Sequence, residues 1–337
     1  MLNLLNCFHP FSGFKTLSHC NFFVRGYFNI LFWNIPCYLK DIVLIYLFTL
    51  HPHFYYNMQV VKHINDLVYL IDQVRAEGKS IGFVPTMGAL HKGHLSLVEQ
   101  AAQQTDFVVV SIFVNPTQFN DKGDLERYPR DLQKDVALLS TVACKLIFAP
   151  EVDEVYPEPD TRIFNFGSLE EVMEGKFRSG HFNGVAQVVS RLFEIVKPDK
   201  AFFGQKDFQQ LAIIKEMVRR MDLPIEIVSC PIIRESDGLA MSSRNMLLNQ
   251  EQRKSAVLIS ATLFDAINKT SELSVEELCK WVISKVNSDE QLNTEYFEIV
   301  NSTTLQPVRS WNEPCEKTGC IAVHCGKIRL IDNIEFK

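Results

Sequence analysis

Two short stretches of this 337-residue chain gather the residue types that handle phosphate. The first reads Pro85-Thr86-Met87-Gly88-Ala89-Leu90-His91-Lys92-Gly93-His94 and lies between an apolar run and a helical pattern. Gly88 and Gly93 allow backbone to approach a ligand closely, and a helix N-terminus offers N–H groups to an anion. His91 and His94 stand three apart and so share one face of the first helical turn. Together they suit the phosphates of a nucleotide, with imidazoles stabilising charge as pyrophosphate leaves. Two histidines near a helix start are ordinarily polar surface residues; their position directly after a buried strand favours the phosphate reading. Zinc is disfavoured, because no third ligand accompanies them and the Glu of His-Glu-x-x-His is absent. The second stretch, Asp237-Gly238-Leu239-Ala240-Met241-Ser242-Ser243-Arg244-Asn245, offers a glycine turn, adjacent hydroxyls and a forked cation for phosphate oxygens. Alone it would pass for a solvated loop; with the first stretch it forms a two-sided grip on a triphosphate.

Alternating strands and helices must carry these residues. A helix N-capped by Asn65 presents Leu67, Leu70, Ile71 and Val74, and Gly78 stops it. Strand 80–86 leads into helix 93–104, and the near-continuous apolar run 107–114 suits a parallel strand covered on both faces. Helix 130–142 then precedes strand 145–149, helix 184–196 precedes strand 200–204, and helix 208–221 precedes strand 225–233. This pattern predicts an α/β fold, a Rossmann-like doubly wound parallel sheet over residues 58–232. Helices near 249–269 and 274–288, followed by strands near 295–301, 319–324 and 327–332, predict a smaller α+β lid domain over 233–337.

Composition narrows the function classes. Hydrophobic residues make up 47% and charged residues 22%, and the formal net charge is −6. That excludes a disordered or collagen-like chain and a multi-span membrane protein, and it weighs against a nucleic-acid-coating role. Nine scattered cysteines suit a reducing cytoplasm. Residues 1–57 depart from the average: they hold nine Phe but only Lys15, Arg25, Lys40 and Asp41 as charges. Their longest apolar stretch, 42–50, falls well short of the roughly 20 residues a membrane span needs. No signal-peptide order is present. The expectation is that Met58 begins the working protein and that 1–57 is an extension outside the fold. Cys315, Cys320 and Cys325 are too widely spaced for a zinc site, Cys230 and Cys325 read as small strand residues, and Glu151, Asp153 and Glu154 read as a solvated loop.

The segments PTMGALHKGH, SIFVNPTQF, YPRDL, SGHFNGVAQVV, FFGQKDFQQL and DGLAMSSRN occur in the order found in the pantoate–β-alanine ligases. The chain resembles that family, part of the HIGH-motif nucleotidylyltransferase superfamily, across residues 58–337. The resemblance implies that pantoate attacks the α-phosphate of MgATP to give pantoyl adenylate and pyrophosphate. β-Alanine then displaces AMP to give pantothenate. It further implies an ATP-binding segment Met87 to His94, with His94 as proton donor and His91 on the phosphates. Gln118 and Gln210 would hold pantoate, Gln118 lying close to β-alanine. Gly204, Gln205, Lys206 and Asp207 would touch the nucleotide, Lys206 supplying charge to the phosphates and Asp207 ordering a ribose hydroxyl or that Lys. Gln205 stands where many relatives carry Glu. Ile233 would bind adenine through its backbone, Met241 to Arg244 would match the synthetase KMSKS loop, and Arg178 would match a basic residue of a mobile loop over the site. The magnesium ligands are left unassigned. A homodimer and small-molecule partners are implied, with no nucleic acid and no membrane for the core. A nucleotidylyltransferase acting on a phosphorylated acceptor is the alternative in the same superfamily; a nucleotide-binding regulatory or nucleic-acid-binding protein that keeps the fold without the chemistry is the alternative outside it. Gln118 and Gln210 argue against the first, and the intact His91, His94, Lys206 and Arg244 against the second.

Overall fold

The computed structural model describes residues 58–119 and 122–336, so the expectation for residues 1–57 lies outside the described residues. Strands β1 (Gln59–Val61), β2 (Ile81–Thr86), β3 (Phe107–Ile112), β4 (Leu146–Phe148), β5 (Lys200–Gly204) and β6 (Glu226–Cys230) form one sheet in the order β1-β4-β3-β2-β5-β6. Every pairing in it is parallel. Val84, Val108 and Val110 are buried, and so are the alternate positions Phe83 and Val109, as both-face coverage of a parallel sheet requires. Between β2 and β5 the strand order reverses, and such a switch point opens a crevice at the carboxyl ends of the strands.

The helices are α1 (Ile64–Ala76), α2 (Lys92–Gln104), the short α3 (Lys122–Arg127), α4 (Leu132–Leu139), the short α5 (Val152–Val155) and α6 (Met173–Phe177), α7 (His181–Val196) and α8 (Phe208–Arg220). Two longer helices, α9 (Gln250–Ile267) and α10 (Val275–Val286), precede an antiparallel sheet of β7 (Leu292–Asn301), β8 (Lys317–Cys325) and β9 (Ile328–Phe336). Alternation along β8 gives that sheet two buried faces. Ile321, Val323 and Cys325 pack with the α9 and α10 side chains, whereas Cys320 and Ala322 pack with Met173 and Leu305. Segment 169–177 therefore reaches across to the C-terminal sheet, a contact that periodicity alone does not announce. Among the described residues no helix is long and apolar enough to cross a membrane.

The elements expected from the sequence are present, with several boundaries moved. His63, not Asn65, is the N-cap of α1, and its side chain makes no capping bond. The Glu154 carboxylate accepts from Ile64 N–H at 2.7 Å instead and lies 3.1 Å from His63 Nδ1. The acidic cluster is thus no simple solvated loop, since Glu154 satisfies a helix end from a distant segment. Helix α7 begins at His181, ahead of its apolar stripe, because Gly180 takes φ +78° and turns the chain there. Strand β6 stops at Cys230 rather than 233, since Pro231 has no N–H to continue a ladder.

Candidate active site

Four candidate segments follow the carboxyl ends of parallel strands. Met87–His94 follows β2, Asn115–Gln118 follows β3, Gln205–Asp207 follows β5 and Ile233 follows β6. At the end of β2, Thr86 Oγ1 donates to Ser111 O at 2.7 Å and accepts from Gly88 N–H at 3.3 Å. Gly88 (φ +81°) and Ala89 (φ +49°) then bend through the left-handed region, which only glycine enters without strain. Asp135 of α4 holds that bend: its Oδ2 accepts from Ala89 N–H at 3.0 Å and its Oδ1 from Leu90 N–H at 2.7 Å. Asp135 is 2% exposed, and burial raises its pKa while the two backbone bonds oppose the rise.

His91 is the N-cap of α2. Its Nδ1 accepts from Gly93 N–H at 3.1 Å, while His94 Nδ1 accepts from His91 N–H at 3.3 Å. The expected role of the free helix N-terminus must be revised here, because the Gly93 N–H is already taken by the cap. Anion attraction passes to the surrounding side chains. With both Nδ1 atoms accepting, each neutral ring carries its proton on Nε2, leaving that atom a donor. Burial, then the charge of Lys206, lowers His91 to about 4; burial, His91 and Lys206 hold His94 well below the usual imidazole range. Their ring centroids lie 4.1 Å apart, close enough that two imidazolium charges would repel strongly. His94 is half-buried and bonded into the cap, not a free residue at a solvent-accessible helix entrance.

Asn115 and Gln118 form the wall beyond β3. Asn115 is 1% exposed; its Nδ2 donates to Gln118 Oε1 at 3.3 Å and to Gly184 O at 3.1 Å. Asn115 Oδ1 accepts from Tyr156 Oη–H at 3.1 Å. Helix α7 comes so close that a Cβ on Gly184 would stand 2.5 Å from Thr117 O, so no larger residue fits there. On the far side, Met241 N–H donates to Ile233 O at 2.9 Å, and Gly238 (φ +92°) turns the chain between them. The Arg234 guanidinium forks onto Asp332 at 2.7 and 3.0 Å, and Asn333 Nδ2 donates to the carbonyls of Gln205 and Lys206 at 2.9 and 3.0 Å. Strand β9 thus pins both the 233–241 hairpin and the backbone around Lys206. Tyr128, of the YPRDL segment, lies 3.4 Å from Ser243 Oγ through its hydroxyl.

One cleft of about 210 Å³ unites most of the predicted residues: Met87, His91, Gly93, His94, Gln118, Gly204, Lys206, Asp207, Gln210, Ile233, Met241, Ser242, Ser243 and Arg244. Gly88, Ala89, Leu90, Lys92 and Gln205 do not line it. The first three shape the turn, with Leu90 buried in the core, while Lys92 is exposed and Gln205 is held by its backbone. Arg178 lines a smaller neighbouring cavity instead and is bonded to Glu174 and His181. The cleft's only carboxylate among the described residues is Asp207. No described cluster of three or more His, Cys, Asp or Glu residues is placed to hold a metal ion. The sequence reading missed Asn115, Tyr128, Asp135 and His181, all of which act on the site through other residues or line it.

The sequence matches the pantoate-beta-alanine ligase family profile over residues 59–335. The chain belongs to that family. It is 52% identical over 280 residues to the pantothenate synthetase of Porphyromonas gingivalis, covering 83% of this chain and 100% of that protein. It is 54% identical to that of Bacteroides fragilis over 83% of this chain and 99% of the relative. The pantothenate synthetase structure from Thermus thermophilus superposes with a TM-score of 0.78 at 42% identity, covering 83% and 100% of the two chains. A pantoate-beta-alanine ligase from Francisella tularensis, solved in complex with beta-gamma ATP and beta-alanine, gives 0.67 at 33% identity over 82% and 97%. Within this ligase family the two-sheet architecture is therefore the family fold, and the cleft lies at its switch point.

Proposed function

We propose that this chain condenses pantoate with β-alanine at the expense of ATP, through a pantoyl-adenylate intermediate, in the cleft above β2 and β5. The observation carrying this reading is that one cleft gathers cationic and neutral polar groups together. Lys206 and Arg244 supply cationic charge for the triphosphate, while Gln118 and Gln210 offer neutral amides to a hydroxy acid. His91 and His94, neutral with Nε2–H donors, stabilise charge on the phosphates as the α–β bond breaks, without a full positive charge already in place. Ile233 and the Met241-Ser242-Ser243-Arg244 loop close on the nucleotide from the opposite side. Pantoate's carboxylate attacks the α-phosphate, pyrophosphate departs, and the amine of β-alanine then attacks the activated acyl carbon with release of AMP. The protein's part is orientation and exclusion of water from the mixed anhydride.

Magnesium fits this donor set as a companion of ATP. Among the described residues one carboxylate, Asp207, lines the cleft, and Mg²⁺ characteristically takes one or two carboxylates with the rest of its ligands from phosphate and water. The ion would neutralise triphosphate charge. The residue boundary near 232, a homodimeric state and a cytoplasmic location complete the reading; light scattering of the purified chain tests the dimer.

Pyrophosphate release from ATP tests the activity. Release should require pantoate and not β-alanine, and pantothenate should form only when both are present. Release that ignores pantoate, or a stable nucleotide-linked product with a phosphorylated acceptor, would overturn the proposal.

A further inference from the structure

A chain of buried polar groups runs from the C-terminal sheet to the backbone of Gln118. Arg329 of β9 forks onto Glu174 of α6, Nη1 to Oε2 at 2.8 Å and Nη2 to Oε1 at 2.7 Å. Glu174, 8% exposed, also accepts from the Tyr296 hydroxyl at 2.9 Å and from Arg178 Nη1 at 3.4 Å. The same Arg178 nitrogen stands 3.1 Å from His181 Nε2, and His181 Nδ1 stands 2.9 Å from Gln118 O. A guanidinium only donates, so His181 Nε2 must accept, and the ring proton sits on Nδ1, where it donates to the Gln118 carbonyl. This is the opposite tautomer from that of His91 and His94. His181 is 6% exposed, so its environment is set by the protein and not by water.

From this geometry we infer that His181 is a positioning residue for acyl-substrate recognition: it fixes the Gln118 backbone through Nδ1–H, and Arg329, Glu174 and Arg178 fix its tautomer. The inference rests on the reading of Gln118 as a pantoate-binding residue. Its consequence is that the C-terminal sheet takes part in reading the acyl substrate, although none of its side chains touches Gln118. The relay's hydrogen bonds end on the Gln118 carbonyl, so its loss is expected to act on pantoate use before ATP use.

Two substitutions separate the ends of the imidazole. His181→Asn places an amide near the Nδ1 position and keeps the donor to Gln118 O; His181→Gln reaches the Nε2 position and keeps only the contact with Arg178. Loss of one such hydrogen bond corresponds to roughly a tenfold effect. Steady-state pyrophosphate release should show the pantoate KM raised about tenfold in His181→Gln and His181→Ala, near wild type in His181→Asn, with the ATP KM unchanged throughout. Arg329→Lys should raise the pantoate KM severalfold, and the double variant with His181→Ala should be no worse than His181→Ala alone. If Arg329→Lys does not fold, Tyr296→Phe perturbs Glu174 more gently and enters the same cycle. Nitrogen-15 spectra of the imidazole, recorded without substrates, should show Nδ1 protonated and Nε2 bare at neutral pH. An Nε2–H tautomer, equal rises in both KM values, an Asn variant as impaired as Gln, or independent multiplicative effects would each overturn the inference. Wild-type enzyme that forms no product from pantoate would instead refute the activity reading, an outcome the tautomer measurement distinguishes.

Discussion

Asp135→Asn is the substitution that most directly tests how the phosphate-handling turn is held. The carboxylate is 2% exposed and spends its two oxygens on Leu90 N–H at 2.7 Å and Ala89 N–H at 3.0 Å. An asparagine of the same shape keeps one acceptor and turns an NH₂ toward the other N–H, leaving a buried donor unpaired. That costs about 1–3 kcal/mol. Ala89 sits at φ +49°, a conformation worth about 1–3 kcal/mol of strain that persists only while its surroundings enforce it. Releasing that restraint lets the turn relax and shifts His91, two residues on, together with the cap it shares with His94. A displacement near 1 Å at a reacting centre costs on the order of a hundredfold in rate. The expected outcome is a loss of about 1–3 kcal/mol in urea unfolding, together with a fall of roughly a hundredfold in kcat/KM for pyrophosphate release. A variant destabilised by that amount but catalytically normal would refute the argument that the turn positions the histidines.

Other outcomes follow from the same geometry. His94→Ala should cut adenylation by about a hundredfold to a thousandfold, and should also destabilise the chain by about 0.5–2 kcal/mol because His91 N–H loses its cap partner; unchanged pyrophosphate release would remove His94 from the chemistry. Arg244→Ala should depress adenylation strongly yet leave the reaction of preformed pantoyl adenylate with β-alanine nearly intact, since pyrophosphate has already left; equal losses in single-turnover assays of the two steps would contradict this. Stability should fall with acidification from about pH 6.5, because the unfolded chain binds protons at His91 and His181 that the folded chain, with both lowered to about 4, refuses. For His181, lowered first by burial and then by Arg178, the loss is bounded by about 3 kcal/mol and levels off below pH 4; urea midpoints that stay flat between pH 7 and 4.5 would disprove it. Gly184→Ala should destabilise by a few kcal/mol and impair pantoate use, since its Cβ would meet Thr117 O at 2.5 Å; a wild-type melting temperature would show that the helix is free to withdraw.

What was legible in the sequence is chiefly what sits at a strand end and carries charge or an amide. Periodicity placed β2, β3, β5 and β6, and in a doubly wound sheet the residues just past those ends must face the crevice. His91 and His94 were therefore legible from their place after β2, whereas Gln118, Lys206 and Gln210 were picked out by the family resemblance and not by periodicity. Boundaries were less so, because a helix end depends on who satisfies its N–H groups. For α1 that group is Glu154, 90 residues from Ile64, which no local pattern reveals.

The residues that hold the site were hidden for a related reason. Asn115, Asp135, Glu174 and His181 act through hydrogen bonds whose partners include residues distant in sequence, and even where Asn115 and His181 lie inside motif segments the sequence does not show those partners. Asp135 did leave a trace: with Leu132 three residues before and Leu139 four residues after, it lies on the apolar stripe of its helix, where an acid requires a buried partner. Glu174 left none, because its need for Arg329 arises only once segment 169–177 has packed on the C-terminal sheet. There, burial alone would raise its carboxyl, but the bonds and charge of Arg329, the charge of Arg178 and the Tyr296 hydroxyl outweigh burial and hold it down to about 2. The same sheet, through Asn333, fixes the backbone of Lys206 and, through Arg234, the hairpin that leads to Arg244. The backbone of Lys206 and the hairpin before Arg244 are thus both anchored on β9. On the proposed reading, a strand that lends no group to the chemistry would set the spacing between the groups that do, and catalysis depends on such spacing.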